Sequence, residues 1–382
     1  MSSLVMATEV VADAKALRRI MYLTGQHNVV PDSSLAHQIT HVALAFMRSD
    51  VFNVDESPKE WPLFTTVSET RPLFSPDAKI MVAIGGWGDS KGFEEGAKDK
   101  ISRERWTRQV RAMVDDAGAD GVDIDWEYPG GNRDDYKQIP NSEREWEIEA
   151  FVLLLEDLRT ALGSDKLLSI AVPGLKRDLM AFTEETLPRI SKAVDFINVM
   201  TYDLMNRRNT RVKHHSGVGD TLKSISRYIH RGASPEQLNL GLGYYVKWFM
   251  VKPGCDPERP IDCPTELLED PETGADLGGT GAFSWHDEVP EDLAESFARA
   301  KKDGHRFYPD SDYGCLDTVE NRWWTWDSPP AISKKIETWL RYQKLGGVFA
   351  WGLGEDAPEF TNFKATMEAM DRLEDRMRKD EL

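Results

Sequence analysis

Residues 118–131 read GADGVDIDWEYPGG, and apolar and acidic residues alternate from position 122 to position 127. Residues two apart in a β-strand share a face, so this stretch predicts a strand with two unlike faces. One face carries three carboxylates: Asp123, Asp125 and Glu127. The other face carries three apolar side chains: Val122, Ile124 and Trp126. Asp120 lies an odd number of positions from these three acids and does not share their face, so we expect it to form a structural hydrogen bond near the start of the strand.

Seven other apolar runs of strand length accompany this one, and helical patterns lie between several of them. The eight runs occupy residues 18–25, 39–46, 79–87, 120–128, 167–174, 194–203, 238–245 and 346–353. Strand–helix alternation repeated eight times predicts the α/β class and a (β/α)8 TIM barrel. The alternative is an open doubly wound sheet, which is disfavoured because no G-x-G-x-x-G turn follows the first run. In a barrel the carboxylates line the interior, and Glu127 lies at the C-terminal mouth, where barrel enzymes carry out their chemistry.

The gap between the seventh and eighth runs is about a hundred residues, far more than one helix and two loops need. It contains Pro-rich turns, a helix-like run and aromatic strand-like pieces, which predict a small α+β insertion between strand 7 and strand 8. We therefore expect the barrel at residues 16–250 and 327–378 and the insertion at residues 251–326. The three cysteines, Cys255, Cys263 and Cys315, fall in this insertion, so two of them can form a disulfide and leave the third over.

The charge of the chain limits its partners. The 382 residues carry a formal net charge of −18. Such a charge repels polyanions, so we expect no binding to nucleic acid or to an anionic membrane surface. No apolar run in the sequence is long enough to span a bilayer. We expect a monomer without a cofactor, which acts on a neutral substrate.

The two ends of the sequence disagree about the cellular compartment. Lys379–Leu382 (KDEL) spells the retrieval signal of the endoplasmic reticulum. Retrieval requires entry into the secretory pathway, yet residues 1–19 contain no apolar signal-peptide core, because Glu9 and Asp13 interrupt it. Either the tail is a retrieval signal and the signal peptide is missing from this sequence, or the tail is a charged helix end that resembles the signal. We expect the first, and hence a secreted or retained protein.

The row of carboxylates suits acid catalysis. Neighbours on one face of a strand are ~7 Å apart, and a shared interior of low dielectric constant raises at least one pKa. One carboxylic acid can then stay protonated near neutral pH, as a general acid must. Two alternatives stay open from the residues alone, a divalent-metal site and a solvated acidic loop. The strict alternation with Val122 and Ile124 disfavours the loop, and metal sites usually draw ligands from several elements.

Four motifs, in order along the chain, resemble those of glycoside hydrolase family 18, the chitinases and their relatives. Residues 120–127 (DGVDIDWE) match the family's D-G-x-D-x-D-x-E signature. Residues 84–88 (IGGWG), 200–203 (MTYD) and 349–356 (FAWGLGED) are similar to its third-, sixth- and eighth-strand motifs. The resemblance extends over most of the chain, and the insertion lies where many family members carry one.

The chain departs from the family pattern in two motifs. Ala83 stands where the third-strand motif usually has Ser, and the seventh-strand motif differs at Gly243, Val246 and Lys247. These changes concern the shape of the sugar subsites. The terminal acid of the signature, whose loss marks the non-catalytic lectins of the family, is present as Glu127.

The resemblance implies a chitinase that hydrolyses β-1,4 linkages of N-acetylglucosamine polymers with retention, by substrate-assisted catalysis. The N-acetyl oxygen of the substrate would be the nucleophile and would form an oxazolinium ion. Glu127 would protonate the leaving oxygen and then activate water. Asp125 would bind the acetamido N–H and stabilise the cation, and Asp123 would share a proton with Asp125. Tyr202 would orient the acetamido carbonyl.

The resemblance also implies sugar contacts at the barrel mouth. Trp351 would stack on the cleaved sugar and Trp87 on the leaving-group side, because flat aromatic faces pack against pyranose rings. Further contacts are expected from Tyr22, Phe46, Gly86, Met200, Asp203 and Tyr245. His214 and His215 have no partner ligands at a metal-binding spacing, so we expect them in a loop that lines the cleft, and we expect no metal.

Two other functions stay open. An endo-β-N-acetylglucosaminidase acting on N-glycan cores shares the acidic motif and would suit a luminal protein. The insertion and Trp87 favour the chitinase, whose partners would be chitin or chitooligosaccharides. A non-hydrolytic chitin-binding lectin is disfavoured because Asp123, Asp125 and Glu127 are all intact.

Overall fold

The barrel predicted from the sequence is confirmed. A computed structural model describes residues 16–303, 305–307 and 312–380 of the chain. The barrel strands are β1 Arg18–Thr24, β2 His41–Met47, β3 Lys79–Gly85, β4 Gly121–Asp125, β5 Leu167–Pro173, β6 Phe196–Met200 and β7 Leu238–Gly243. A second sheet follows in the chain, and the last barrel strand, β13 Gly347–Trp351, then closes the barrel between β7 and β1. Consecutive barrel strands pair in parallel, as a TIM barrel requires.

Helices separate the barrel strands and cover the outer face of strand β4. The α-helices are α1 Ser33–Ala36, α2 Val67–Thr70, α3 Lys91–Ala97, α4 Lys100–Ala117, α5 Trp146–Leu162, α6 Leu187–Ala193, α7 Val218–His230, α8 Glu291–Asp303, α9 Pro329–Lys334, α10 Arg341–Gln343 and α11 Thr361–Asp380, with a π-helix at Lys335–Leu340. The Trp126 ring, directly after β4, stacks on Phe93 of α3 at 5.2 Å and meets Phe151 of α5 edge-on at 5.9 Å. Val122 and Ile124 lie in the same core cluster. The apolar face of the strand therefore packs on the helices, as predicted.

Local sequence signals determine where helix α4, which precedes β4, begins and ends. The Asp99 carboxylate accepts a hydrogen bond from the Ser102 N–H at 2.9 Å and caps the first turn. Trp106 and Val110 lie on the buried face of the helix. Gly118 ends the helix with φ 66°, a left-handed conformation that glycine adopts without a steric penalty. Strand β4 begins three residues later.

The insertion predicted between the seventh and eighth barrel strands is present as a five-stranded sheet. Its strands are β8 Tyr245–Met250, β9 Thr280–Ser284, β10 His305–Phe307, β11 Asp312–Asp317 and β12 Arg322–Trp326. They pair antiparallel in the order β10-β11-β12-β8-β9. The expected boundary at residue 251 would assign β8 to the barrel, yet β8 pairs within this sheet. The division of the chain into two domains stays a proposal.

The insertion has its own small core and a covalent crosslink. The rings of Phe297 and Trp324 lie 4.9 Å apart where helix α8 covers the sheet. Cys255 and Cys263 form a disulfide, which resolves the pairing that the sequence left open. Cys315 is buried in β11.

A buried ion pair joins the end of the insertion to the barrel helices. Lys335 Nζ lies 2.5 Å from Asp327 Oδ1, and the two side chains are 0% and 2% exposed. Asp327 directly follows β12 and Lys335 begins the π-helix, so the pair holds the chain where it returns to the barrel. Removing one member leaves the other charge buried without a partner, which is far more costly than removing both.

We expect Lys335→Met to lower the free energy of unfolding by about 3–5 kcal/mol. Chemical denaturation followed by circular dichroism measures this loss. The double variant Lys335→Met/Asp327→Leu is the control, and it should recover most of the stability because it removes both buried charges. A single variant as stable as the wild type would contradict the assigned role of the pair.

Two predictions from the sequence concern residues outside the described ranges. Residues 1–15 contain most of the stretch searched for a signal peptide, and Glu381 and Leu382 complete the KDEL tail. Lys379 and Asp380 lie in the last turn of α11. In the ranges that the structure describes, no helix has both the length and the apolar character needed to cross a membrane. The assignment to the secretory pathway stays a prediction.

Candidate active site

Strand β4 turns its acidic face into the barrel, as its alternation predicts. Asp123 and Asp125 are 1% and 4% exposed. Glu127 follows two residues after the end of the strand and lines a cleft at the C-terminal mouth. Asp120 lies at the other end of the strand, where its carboxylate accepts a hydrogen bond from the Ile80 N–H at 2.7 Å. The structural role predicted for Asp120 is confirmed.

Asp123 is held by hydrogen bonds from three other barrel strands. Its carboxylate accepts bonds from the Tyr22 hydroxyl at 2.6 Å, the Ser169 hydroxyl at 2.5 Å and the Asn198 amide at 3.3 Å. Burial raises the pKa of Asp123, and these three bonds work against that rise. Ala83 lies beside Asp123 in the register of β3 and β4 and has no hydroxyl to offer, so the hydroxyl donors come from β1 and β5.

Asp125 has a carboxylate oxygen that lacks a donor. Its Oδ1 is buried and has no hydrogen-bond partner in the part of the chain that the structure describes. Burial raises the pKa of Asp125 well above its usual value, and the negative charges of Glu127 and Asp123 raise it further. An unsatisfied buried acceptor costs about 1–3 kcal/mol. Because Asp125 lines the cleft, a ligand N–H can supply the missing donor.

Glu127 has the acidity of a general acid. Burial raises its pKa to about 7, against the effect of a hydrogen bond with Tyr128. The charges of Asp203 and Asp178 add to the rise. Burial also raises the pKa of Asp178, to about 6. A carboxyl group with a pKa near 7 keeps its proton in a large share of molecules at neutral pH and can still lose it during a reaction.

The acids open into a cleft of about 910 Å³, a size typical of ligand sites. Ten residues predicted for the site line it: Phe46, Gly86, Trp87, Asp125, Glu127, Met200, Tyr202, Asp203, Tyr245 and Trp351. Trp351 and Phe46 stack with centroids 5.3 Å apart, and Trp87 is 55% exposed. Gly86 has φ +89°, and a Cβ there would lie 2.6 Å from the Phe46 ring, so the position requires glycine.

A second charged group lies at the cleft mouth, around Asp203. Its carboxylate accepts a hydrogen bond from the Tyr245 hydroxyl at 2.7 Å and pairs with the Lys247 ammonium at 2.8 Å. The Tyr202 ring packs edge-on against Tyr245 at 6.1 Å. Lys247 therefore holds the Asp203 carboxylate in place at the cleft mouth. In the sequence, Lys247 stands out only as a departure from the family motif.

The insertion supplies one wall of the cleft. Residues of strand β9, together with Asp287, line it. Asp287 Oδ1 lies 2.9 Å from His27 Nε2, and the His286 N–H donates to the Glu355 carbonyl at 3.0 Å. These contacts join the insertion to the loops after β1 and β13, on the Trp351 side. Another part of the cleft is lined by Asn132, Asp178, Asn206, Arg207 and Arg208.

Three residues predicted at the cleft lie behind its surface. Tyr22, expected to contact the sugar, is 1% exposed and bonds to Asp123 instead. His214 and His215 lie, as predicted, in a loop that lines the cleft, since Tyr202, Asp203 and residues 206–208 of the same loop line it, but the two histidines themselves are buried behind its surface. His214 packs 5.4 Å from the Trp323 ring of the insertion, and His215 packs 5.2 Å from Tyr245.

Several residues that shape the site were missed by sequence reasoning. They are Tyr128, Ser169, Asp178, Asn198, Lys247 and the pair Arg207 and Arg208. Tyr128 directly follows Glu127, so its position beside the signature was an available signal. No sequence signal pointed to Asp178, because it lies in a short turn after β5 that matches no motif.

Comparison with known proteins gives the relatives of the chain. A family model described as Glycosyl hydrolases family 18 matches residues 18–356. Chitinase 1 of Aphanocladium album is 26% identical over 297 residues, which cover 72% of this chain and 60% of that protein. Chitinase C of Streptomyces lividans is 25% identical over 327 residues, which cover 80% of this chain and 47% of that protein. The match thus spans less than two thirds of the length of each of these relatives.

Solved structures share the architecture at lower identity. An N-acetylglucosaminidase of glycoside hydrolase family 18 from Paenibacillus barengoltzii matches with a TM-score of 0.71 at 20% identity, over 92% of this chain and 99% of that one. Catalytic domain 2 of the Ostrinia furnacalis Group II chitinase matches with a TM-score of 0.72 at 20% identity, over 93% and 97%. At this identity the likeness shows the fold alone.

Proposed function

Because this chain belongs to glycosyl hydrolase family 18, we propose that it is a chitinase, which hydrolyses β-1,4 linkages between N-acetylglucosamine units with retention of configuration. The observation that carries the proposal is the Asp125 oxygen, which is buried, lacks a donor among the described residues and belongs to a cleft-lining residue next to the acid Glu127. An N-acetyl group offers the N–H that this oxygen lacks. Neutral sugars also suit a chain with a net charge of −18.

In the proposed reaction Glu127 acts first as acid and then as base. Its proton moves to the glycosidic oxygen as the bond from that oxygen to the anomeric carbon breaks. The acetamido carbonyl oxygen bonds to the anomeric carbon and forms an oxazolinium ion. The Glu127 carboxylate then takes a proton from water, whose oxygen attacks the anomeric carbon and reopens the ring. Two inversions at one carbon give net retention.

The carboxyl group of Asp125 binds the acetamido N–H and opposes the positive charge of the oxazolinium ion. Preorganised charge of this kind acts strongly in a water-poor site. Asp123 shares a proton with Asp125, and its hydrogen bonds to Tyr22, Ser169 and Asn198 keep it in place. The negative charge of Asp123 raises the pKa of Asp125, so a change at Asp123 alters the titration of Asp125.

Aromatic residues and the insertion wall hold the sugar chain. In this proposal Trp351 packs under the cleaved sugar and Trp87 under the leaving-group side, and the Tyr202 hydroxyl orients the acetamido carbonyl. The wall that β9 and Asp287 form beside the cleft suits a linear polymer better than a branched glycan. This wall is the feature that favours the chitinase over the endo-β-N-acetylglucosaminidase.

Product analysis tests the proposal against its alternatives. We expect chitohexaose to be converted to shorter oligomers, while a high-mannose glycopeptide incubated in parallel stays intact. Mass spectrometry of both mixtures gives the products. Release of the glycan from the peptide, with chitohexaose unchanged, would establish the endo-β-N-acetylglucosaminidase instead. Binding of chitohexaose without cleavage would establish the lectin.

The acidity of Glu127 predicts a pH dependence. We expect kcat/KM on chitotetraose to fall as the pH rises through about 7, because Glu127 must carry its proton to act as an acid. The control is Asp178→Asn. It removes a negative charge that raises the pKa of Glu127, so the falling limb should move to lower pH. A rate that stays level up to about pH 9 would contradict the assignment of Glu127 as the acid.

A further inference from the structure

A second cavity adjoins the cleft. Its volume is about 260 Å³, and it shares Gly174 and Leu175 with the cleft wall. The other residues that line it are Lys176, Arg177, Leu204, Lys213, Asp220, Ser224 and Arg227. We refer to its four cations, Lys176, Arg177, Lys213 and Arg227, as the basic pocket.

The basic pocket has an excess of positive charge. Its acidic neighbour Asp220 is already paired, because Lys223 Nζ lies 2.8 Å from its carboxylate. Within the described ranges, Lys176, Lys213 and Arg227 form no ion pair, and Arg177 lies 3.8 Å from the Asp178 carboxylate. Charges more than about 8 Å away are largely screened at physiological ionic strength. The local cations therefore outweigh the negative charge of the whole chain.

Lys213 is held in place through its main chain, and its side chain is only partly buried. Its main-chain N–H donates to Met205 Sδ at 3.3 Å, and its carbonyl accepts a bond from the Trp323 indole at 3.0 Å. Desolvation lowers the pKa of Lys213, the negative charge of Asp220 opposes this lowering, and the positive charges of Arg177, Lys223 and Arg227 add to it. No acceptor bonds to its Nζ among the residues that the structure describes. An anion beside this ammonium would therefore be stabilised.

The basic pocket is connected to the cleft through its own hydrogen bonds. The Arg177 guanidinium donates to Asn206 Oδ1 at 2.7 Å, and Asn206 lines the cleft. The Ser224 hydroxyl donates to the Gly174 carbonyl at 2.8 Å and fixes helix α7 against the shared wall. Arg227 lies on the same helix and donates to the same carbonyl at 3.4 Å. The basic pocket therefore adjoins the cleft across the wall that contains Gly174 and Leu175.

We propose that the basic pocket binds one oxyanion group, a carboxylate, sulfate or phosphate, carried on the leaving-group side of a saccharide in the cleft. Guanidinium and ammonium groups bind such anions through charge-assisted hydrogen bonds. The proposal rests on the proposed function and adds a substrate class to it, N-acetylglucosamine oligomers with an acidic substituent. A free oxyanion from solution could occupy the same pocket. Two experiments distinguish it from an oxyanion that a saccharide carries.

The first arm measures binding of inorganic sulfate by equilibrium dialysis at constant ionic strength. We expect one saturable sulfate per wild-type chain and at least about tenfold weaker binding by Lys213→Gln/Arg227→Gln. Lys192→Gln, which removes an exposed lysine of α6, is the matched control and should bind like the wild type. Absence of saturable binding, or equal binding by the double variant, would overturn the basic pocket as an anion site.

The second arm compares kcat/KM for a neutral N-acetylglucosamine oligomer and for one with a sulfate ester on the leaving-side sugar. We expect the wild type to prefer the sulfated oligomer at least about tenfold and the double variant to lose this preference. Equal kcat/KM values for the two oligomers, together with saturable sulfate binding, would mean that the pocket binds a free oxyanion. They would overturn the proposal that a saccharide carries the oxyanion. Sulfate binding without cleavage of either oligomer would count against the proposed function and leave the pocket standing.

Discussion

Replacing Glu127 with glutamine is expected to lower kcat on N-acetylglucosamine oligomers by at least about a hundredfold, while binding of the oligomers persists. Glutamine keeps the size and hydrogen bonding of the side chain. It has no proton to transfer, whereas the Glu127 carboxyl, with its pKa raised to about 7, has one at neutral pH. The loss concerns the chemical step, so it should appear in kcat rather than in the affinity for substrate.

Two measurements on the same protein separate chemistry from binding. Release of reducing ends from chitotetraose gives kcat, and isothermal titration calorimetry gives the affinity of the variant. Glu143→Gln is the matched control, because Glu143 is an exposed acid in the short turn Asn141–Glu143 that precedes α5. It should behave like the wild type. A Glu127→Gln variant that kept more than a few per cent of the wild-type rate would contradict the role assigned to Glu127.

Removal of the acetyl group from the cleaved sugar is expected to abolish hydrolysis, because the nucleophile belongs to the substrate. A nucleophile held beside the reacting carbon can supply a rate advantage of many orders of magnitude. Two oligomers provide the matched comparison. One is deacetylated only on the sugar that carries the cleaved anomeric carbon, and the other only on the leaving-side sugar. We expect the first to be inert and the second to be cleaved.

The variant Asp125→Asn tests the same mechanism by changing the enzyme instead of the substrate. An amide cannot oppose the charge of an oxazolinium ion, so kcat on fully acetylated oligomers should fall by roughly a hundredfold to a thousandfold. Tyr22→Phe is a milder variant for comparison, since it removes one of three hydrogen bonds to Asp123. It should lower kcat less than Asp125→Asn does. Cleavage of the oligomer that lacks the nucleophilic acetyl group would contradict the substrate-assisted route.

The catalytic face could be predicted because it depends on local periodicity. Alternation at residues 122–127 places the carboxylates on one side of a strand whatever the rest of the chain does. The barrel could be predicted because eight similar runs recur with helices between them. The ten predicted residues that line the cleft share a simple property, since each lies at or just after the end of a barrel strand.

The supports of the site could not be predicted because they come from distant parts of the chain. Tyr22 is 101 residues from Asp123, and Asn198 is 75 residues away on the other side. Only the closed barrel brings these side chains to one carboxylate. The burial of His214 and His215 behind the cleft surface could not be predicted for a related reason, since it depends on the insertion sheet and not on their own loop.

The anomeric form of the first product tests the central claim most directly. Proton NMR spectra of chitotetraose, recorded in the first minutes after the enzyme is added, show the new reducing end before mutarotation mixes its forms. Attack by the acetamido oxygen followed by attack of water inverts the anomeric carbon twice, so we predict the β anomer first. Initial release of the α anomer would mean a single inversion. Asp125 would then have to activate water on the opposite face of the sugar, and the substrate-assisted mechanism would be wrong.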